Sequence, residues 1–381
     1  MTLTPLTTIT SLNTRILPFL LLCATFFSCR DGGWAEGILR TADSLMEEYP
    51  DSALAILKRD SLEICRSGKD FRLWYALSRT EADDKCYILH VSDSAIRIAA
   101  GCYDSYGSAL QRVRADYLLG RVYCDMHLYG HALTSFNKAI AVDAENDSVI
   151  NRYKARAATW AGYVYEVEGL HKDALRYNKL AYGYAKKAGA QVTEIYSLRD
   201  IGRSYRDLKR NDIAIPYYQQ AAKKAKAIDD ANLYNMVMEE LAGIYIEEGR
   251  LDEAYAALNT KFLATTDKDI ASHYYIWAMY FEKIGQLDSA VAYDKRGMKY
   301  SEISIKRDVS LDLARLLMKQ GKRDEAMEYY EKYSVYSDSV EASELKETSD
   351  MLSQVEKSID VERKNAALAS SQLRLAAVMS I

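Results

Sequence analysis

Few residues in this chain have the types and spacing that chemistry needs. His127 and His131 stand four apart, a spacing at which a helix can offer two imidazoles to one metal ion. Gly130 interrupts that helix, however, and neither a Glu nor a third ligand accompanies the pair, so the reading is two surface histidines. Cys65, Cys86, Cys102 and Cys124 contain no C-x-x-C, the spacing of zinc and redox sites. They are read as buried free thiols, with one or two disulfides as the alternative. There is no Ser/His/Asp grouping, no phosphate-cradling Gly-rich loop and no cleft-like pair of carboxylates. The chain therefore reads as non-enzymatic, with no cofactor and no metal. What remains is a stripe of Arg and Tyr: Arg114, Tyr117, Arg121, Arg156, Tyr163, Arg199, Arg203 and Arg206. Arginine grips a carboxylate bidentately and tyrosine offers stacking area at little entropic cost, which is binding chemistry. The guest that fits is a protein or peptide of acidic character, or a C-terminal carboxylate. The competing reading is a solvated helix face whose arginines pair with Glu and Asp of adjacent units.

That stripe gains meaning from a pattern that occurs six times. A Gly or Ala is followed three residues later by an aromatic or Leu, and twelve residues later by an Ala. It reads Gly120/Tyr123/Ala132, Gly162/Tyr165/Ala174, Gly202/Tyr205/Ala214, Ala242/Tyr245/Ala254, Ala278/Phe281/Ala290 and Ala314/Leu317/Ala326, at intervals of 42, 40, 40, 36 and 36 residues. Such periods belong to solenoids of helix pairs, whose extended surfaces bind other molecules. Each unit shows two stretches of helical periodicity around a polar turn, as where Leu119, Val122 and Tyr123 share one face and Leu133, Phe136 and Ile140 another. Breaks are placed at Gly130, Gly169, Asn211, Gly249, Gly285 and Gly321. Gly120, Gly162 and Gly202 lie inside first helices at about 1 kcal/mol relative to Ala, a cost tolerated where backbones approach closely. The Ala twelve residues on is expected to form the opposing small surface. Two weaker units precede these six, with Pro50 at the start of a second helix.

These residues resemble the tetratricopeptide repeat family. Leu119-Gly120, Tyr123, Ala132, Phe136 and Ala139 match its pattern in full, and Ile201-Gly202, Tyr205, Ala214, Tyr218 and Ala221 nearly so. Asn178 and Asp294 stand where the second helix's aromatic belongs. The resemblance implies an all-α, right-handed superhelical solenoid of antiparallel helix pairs, ending in a long C-terminal helix. In such stacks the first helices line the inner groove, at positions three before, one after and four after the packing residue. These are Tyr117, Arg121 and Cys124; Thr159, Tyr163 and Glu166; Arg199, Arg203 and Arg206. Further along they are Tyr275, Met279 and Glu282, then Leu311, Arg315 and Met318, a more apolar lining.

Four segments are expected: a lipoprotein-type signal over 1–28, a tether over 29–33, the repeat array over 34–333 and a charged C-terminal helix over 334–381. The leader has Arg15, an apolar run from Ile16 to Phe27 that is too short to span a bilayer, then Ser28 and Cys29. It resembles a bacterial lipoprotein signal, which implies lipidation at Cys29 and a cell-envelope location, anchored to a membrane and facing the periplasm or surface. The last segment repeats Leu345, Leu352 and Ile359, then Leu368 and Leu375, with a register slip between the sets. A coiled coil and a capping helix are both open. The arrangement is similar to Bacteroidetes lipoprotein-type repeat proteins related to membrane-anchored regulators. Its net charge of −4 gives no basic footprint for nucleic acid. The leading function is a lipid-anchored scaffold or sensor. The alternatives are a glycan or nutrient-capture lipoprotein and the extracytoplasmic half of a transmembrane transcriptional regulator. Trp160 and Trp277 lie within repeat helices, which disfavours a glycan platform.

Overall fold

A computed structural model describes residues 32–144, 147–260, 266–343 and 345, and every regular element among them is an α-helix. The chain divides into two compact units between Tyr106 and Gly107. The first contains α1 (Gly32–Leu45), α2 (Pro50–Arg59), α3 (Ser61–Arg66), α4 (Lys69–Lys85) and α5 (Ser94–Tyr106). Pro50 occupies the first turn of α2, where its missing N–H removes no helical hydrogen bond. Leu39, Leu57, Ile64 and Ala82 are fully buried in this unit's core. Asp43 of α1 ties it to α4 by accepting from Trp74 Nε1 at 2.7 Å and Ser78 Oγ at 2.6 Å. Helices α1/α2 and α4/α5 are the two weaker pairs expected from sequence. The short α3 was not foreseen, because six residues are too few to show a period.

The second unit holds α6 (Ala109–Asp125), α7 (Tyr129–Ala141), α8 (Ser148–Val167), α9 (His171–Ala188), α10 (Gln191–Asp207), α11 (Asn211–Ala227), α12 (Ala231–Glu247), α13 (Leu251–Leu258), α14 (Asp267–Lys283), α15 (Leu287–Gly297) and α16 (Ile303–Lys319). A last helix, α17, covers residues 323–343. Ser108 and Gln111 form a reciprocal cap that starts α6. The helices pack as consecutive pairs, each second helix also touching the next first helix. Helix α17 runs through Tyr333 and Ser334 without a break, so the boundary expected there falls inside the second helix of the final pair. No Gly or Pro stands between to stop it.

Six turns share one geometry. The residue seven after each packing Gly or Ala has positive φ: His127 (55°), Gly169 (70°), Lys209 (60°), Gly249 (73°), Gly285 (78°) and Gly321 (77°). The following N–H donates back to the residue at the fourth position of the pattern: Leu128 to Tyr123 O, Leu170 to Tyr165 O, Arg210 to Tyr205 O and Arg250 to Tyr245 O, each at 2.8 Å. This is the Schellman closure. Gly130 and Asn211 were therefore misplaced as breaks; His127 and Lys209 carry the left-handed conformation instead. The consequence for the two histidines is that His127 sits in a turn, its Nδ1 3.0 Å from Tyr129 Oη, while the His131 ring lies 5.3 Å from that of Tyr123.

The packing glycines also differ from expectation. A Cβ at Gly120 would lie 2.4 Å from Phe136 Cε1, one at Gly162 2.3 Å from Asn178 Oδ1, and one at Gly202 2.7 Å from Tyr218 Cδ2. The space above each glycine is thus filled by the side chain sixteen residues on. Ala132, Ala174 and Ala214 are buried as the pattern requires, and at Gly162 the Ala174 carbonyl oxygen also comes within 3.6 Å of the Cβ position, but the closest contacts are to the side chain sixteen residues on.

Candidate functional site

Three cavities open along the first-helix face of the second unit. The first, of about 160 Å³, is lined by Thr159, Trp160, Tyr163 and Glu166 of α8, Asn178 of α9, and Arg199, Asp200 and Arg203 of α10. The second, about 430 Å³, lies between α10, α12 and α14 and includes Arg206, Glu239, Glu240, Tyr275 and Met279. The third, about 530 Å³, lies between α12, α14 and α16, with Asp294 of α15 at its wall. Glu247, Tyr275 and Met279 border both of the last two, which makes them one groove. Thr159, Tyr163, Glu166, Arg199, Arg203, Arg206, Tyr275, Met279, Glu282 and Arg315 all occupy the inward register read from sequence.

The first unit of the stripe does not reach that groove. Tyr117 is only 5% exposed, its ring 5.8 Å from Tyr153 and 6.4 Å from Phe136. Arg121 is 8% exposed, with its guanidinium carbon 3.4 Å from the Trp160 ring centroid and a nitrogen 3.5 Å from Asp125. Cys124 is buried as well. These side chains are packing elements, because α8 covers the face that α6 would otherwise present. Arg114 and Arg156 are half-buried on α6 and α8, and Arg156 stands 5.6 Å from the Tyr153 ring. Tyr163 is open, at 46% exposure, with its ring edge-on to Trp160.

The arginines of α10 are organised by Glu240 of α12. Arg203 Nη2 donates to Glu240 Oε1 at 2.6 Å, Tyr218 Oη donates to Oε2 at 2.8 Å, and Arg199 approaches at 3.9 Å. Arg199 also donates to Asp200 at 2.7 Å, and Arg206 lies 3.7 Å from Asp207. Burial opposes the charge on Arg203, yet Glu240 more than compensates and holds its pKa above the usual arginine value. Burial and then Glu240 push the Tyr218 phenol up. Burial likewise raises Glu166, with Arg203 pulling against it. A parallel chain joins α12 to α14: Trp277 Nε1 donates to His273 Nε2 at 3.2 Å, and His273 Nδ1 lies 2.8 Å from Glu239. Asp294 is the exception to this pairing. It is 3% exposed, and its Oδ1 has no hydrogen-bond partner.

Among the described residues no group of His, Cys, Asp and Glu is placed to hold a metal ion, and no helix is long and apolar enough to cross a membrane. No disulfide joins Cys65, Cys86, Cys102 and Cys124. Cys29, the 1–28 segment, and Leu352, Ile359, Leu368 and Leu375 lie outside the described residues.

The tetratricopeptide repeat family is matched over residues 200–223, within the α10/α11 pair, and again over 311–339, within α16/α17. The chain carries tetratricopeptide repeats. Apo RapI superposes with a TM-score of 0.58 at 13% identity, covering 81% of this chain and 99% of RapI. The apo quorum sensor NprR from B. thuringiensis gives 0.52 at 14%, covering 79% and 98%. The Cut9–Hcn1 hetero-tetramer of APC/C gives 0.50 at 15%, covering 84% and 56%. At such identities the likeness establishes shared fold alone. No curated protein matches the sequence.

Within the tetratricopeptide array, the sequence reading missed Glu240, Glu239 and His273. Only Glu239 carried a signal, standing three before Ala242 in the inward register already applied to the other units, while Glu240 and His273 fall off that register.

Proposed function

We propose that this protein is a non-enzymatic scaffold or sensor that holds a peptide or protein segment along the groove between α8 and α16. The observation that carries the reading is a row of three cavities, the last two continuous, lined at a fixed register by first helices and offering Tyr163, Tyr275 and Met279 beside fixed charges. Exposed tyrosine and half-buried methionine supply adaptable contact area, while the Arg–Glu network sets polarity without consuming ordering entropy on binding. NprR, a quorum sensor, is built on the same fold. An acidic stretch of guest meets Arg199, Arg203 and Arg206 on donors their present carboxylate partners leave open. Trp160 is stacked under Arg121, and Trp277 packs on Phe281 and Tyr293, which supports a peptide rather than a glycan guest.

Selection from a displayed random-peptide library tests this. Enriched peptides should lose at least about tenfold in affinity, about 1.4 kcal/mol, with Tyr163→Glu/Met279→Glu, and little with Lys187→Glu on α9. Failure to enrich any peptide, or equal loss with both variants, would contradict the reading. The lipid anchor at Cys29 is part of the proposal. Cys29→Ala should move the expressed protein from the membrane to the soluble fraction, and an unchanged distribution would remove the anchor.

A further inference from the structure

Six units can be compared at the position sixteen after the packing residue: Phe136, Asn178, Tyr218, Leu258, Asp294 and, in the last unit, the exposed Tyr330. Phe136, Tyr218 and Leu258 fill their space with apolar atoms, and Asn178 Nδ2 donates to Ser204 Oγ at 3.0 Å and Asp200 O at 3.3 Å. Asp294 has neither solution. A buried carboxyl oxygen without a partner is unfavourable, and the fold does not require one here, since Leu serves in the preceding unit. Asp294 lines the 530 Å³ cavity, whose wall combines an apolar part (Ile246, Ala278, Met279 and Leu316) with charged side chains from α12, α14 and α16.

The charges that face it form a closed set with one cation missing. From α16, Arg315 donates to Glu282 of α14 at 3.1 Å and reaches Asp312 at 3.1 Å, while Lys319 donates to Glu282 at 2.7 Å. Both cations are therefore engaged by Glu282 and Asp312. Glu247 of α12 and Lys283 of α14 line the same cavity and offset each other in charge, and Tyr275 of α14 is uncharged. Ionised Asp294 leaves the site one positive charge short.

We infer that this cavity receives a single cationic side chain, a lysine ammonium or an arginine guanidinium, with Asp294 as its counter-charge and the Met279 and Leu316 wall against its aliphatic stem. The inference rests on the groove reading, since the side chain belongs to the segment held there. Long basic side chains bury their methylenes on apolar surface while their heads seek a carboxylate. Burial first, then Asp312 and Glu282, raise the Asp294 carboxyl to about 8, with Arg315 opposing. At pH 7 the carboxyl waits protonated. An arriving cation favours the carboxylate, and the O–H proton passes to the buffer.

Full-length protein titrated with N-acetyl-arginine amide and N-acetyl-lysine amide tests the site without any groove peptide, using the Met279 methyl resonance as reporter. Dissociation constants on the order of 1 mM are expected for so small a probe. N-acetyl-norleucine amide and N-acetyl-glutamate amide should bind at least about tenfold more weakly, as should the cationic probes to Asp294→Asn and to Asp294→Leu, which copies Leu258. Calorimetry in buffers of different ionisation enthalpy at pH 7 should show proton release on binding of the cation, and none from Asp294→Asn. Absence of any Met279 response to the cationic probes, undiminished binding to Asp294→Asn, or equal binding of norleucine amide overturns the inference. If selected peptides still bind through Tyr163 and Met279 when these probes do not, the cation site falls and the groove stands.

Discussion

Gly120→Ala should destabilise the array even though alanine is the better helix former. The new Cβ would lie 2.4 Å from Phe136 Cε1, 2.5 Å from Cδ1 and 2.9 Å from Cζ, where carbons normally rest about 3.5–4.0 Å apart. The ring must retreat by about 1 Å, but Phe136 is fully buried and flanked by Tyr117. Overpacking of this kind costs roughly 1–3 kcal/mol, and three close contacts put Gly120 near the upper end. Against that stands a gain of about 1 kcal/mol in helix propensity, leaving a net loss of about 2 kcal/mol. Gly183 of α9 is the control, because nothing lies within 4 Å of its Cβ position, so Gly183→Ala should gain up to about 1 kcal/mol. Urea unfolding followed by circular dichroism should move the two midpoints in opposite directions. Adding Phe136→Leu to Gly120→Ala should reduce its cost. A Gly120→Ala midpoint raised as far as that of Gly183→Ala would refute the argument that these glycines make room for the residue sixteen later.

The remaining expectations concern turns and charges. Lys209→Gly should stabilise by about 1 kcal/mol, because Lys209 holds φ at 60° in a position glycine adopts freely, and denaturant midpoints read this directly. Glu240→Ala strips partners from Arg203 and Tyr218 and should cost about 2–3 kcal/mol in the same assay, while Glu240→Leu/Arg203→Met recovers most of that loss. The Asp294 carboxyl sits at about 8 when folded and near 3.9 when unfolded, so its favourable contribution is complete below about pH 4 and disappears as pH rises through 8. Wild type should therefore lose stability relative to Asp294→Asn across that window, by at most on the order of 5 kcal/mol, seen as a growing gap in Tm.

What could be read from sequence was whatever repeats. Gly120/Tyr123/Ala132 and its relatives marked the helix pairs, and the inward register picked out Tyr163, Arg199, Arg203, Tyr275 and Met279 among the groove-lining side chains. Two kinds of feature escaped. Contacts sixteen residues apart, such as Gly202 with Tyr218, depend on how two helices cross, which no single-helix period reports. Left-handed residues at His127 and Lys209 are invisible to a search for glycine, although the other four turns show the position. Tyr117 and Arg121 were misread because a register marks the direction a side chain takes and not whether the next helix covers it. Asp294 was visible as a departure from the pattern, but only its burial and its orphaned oxygen gave it chemical meaning.

The most direct test of the account is amide hydrogen exchange on the protein with and without a selected peptide. Slowed exchange should fall on the first helices α10, α12, α14 and α16 and on the groove-facing turns of α8. Protection confined to α9, α11 and α13, or to residues before Gly107, would contradict the claim that the first-helix face is where this protein binds.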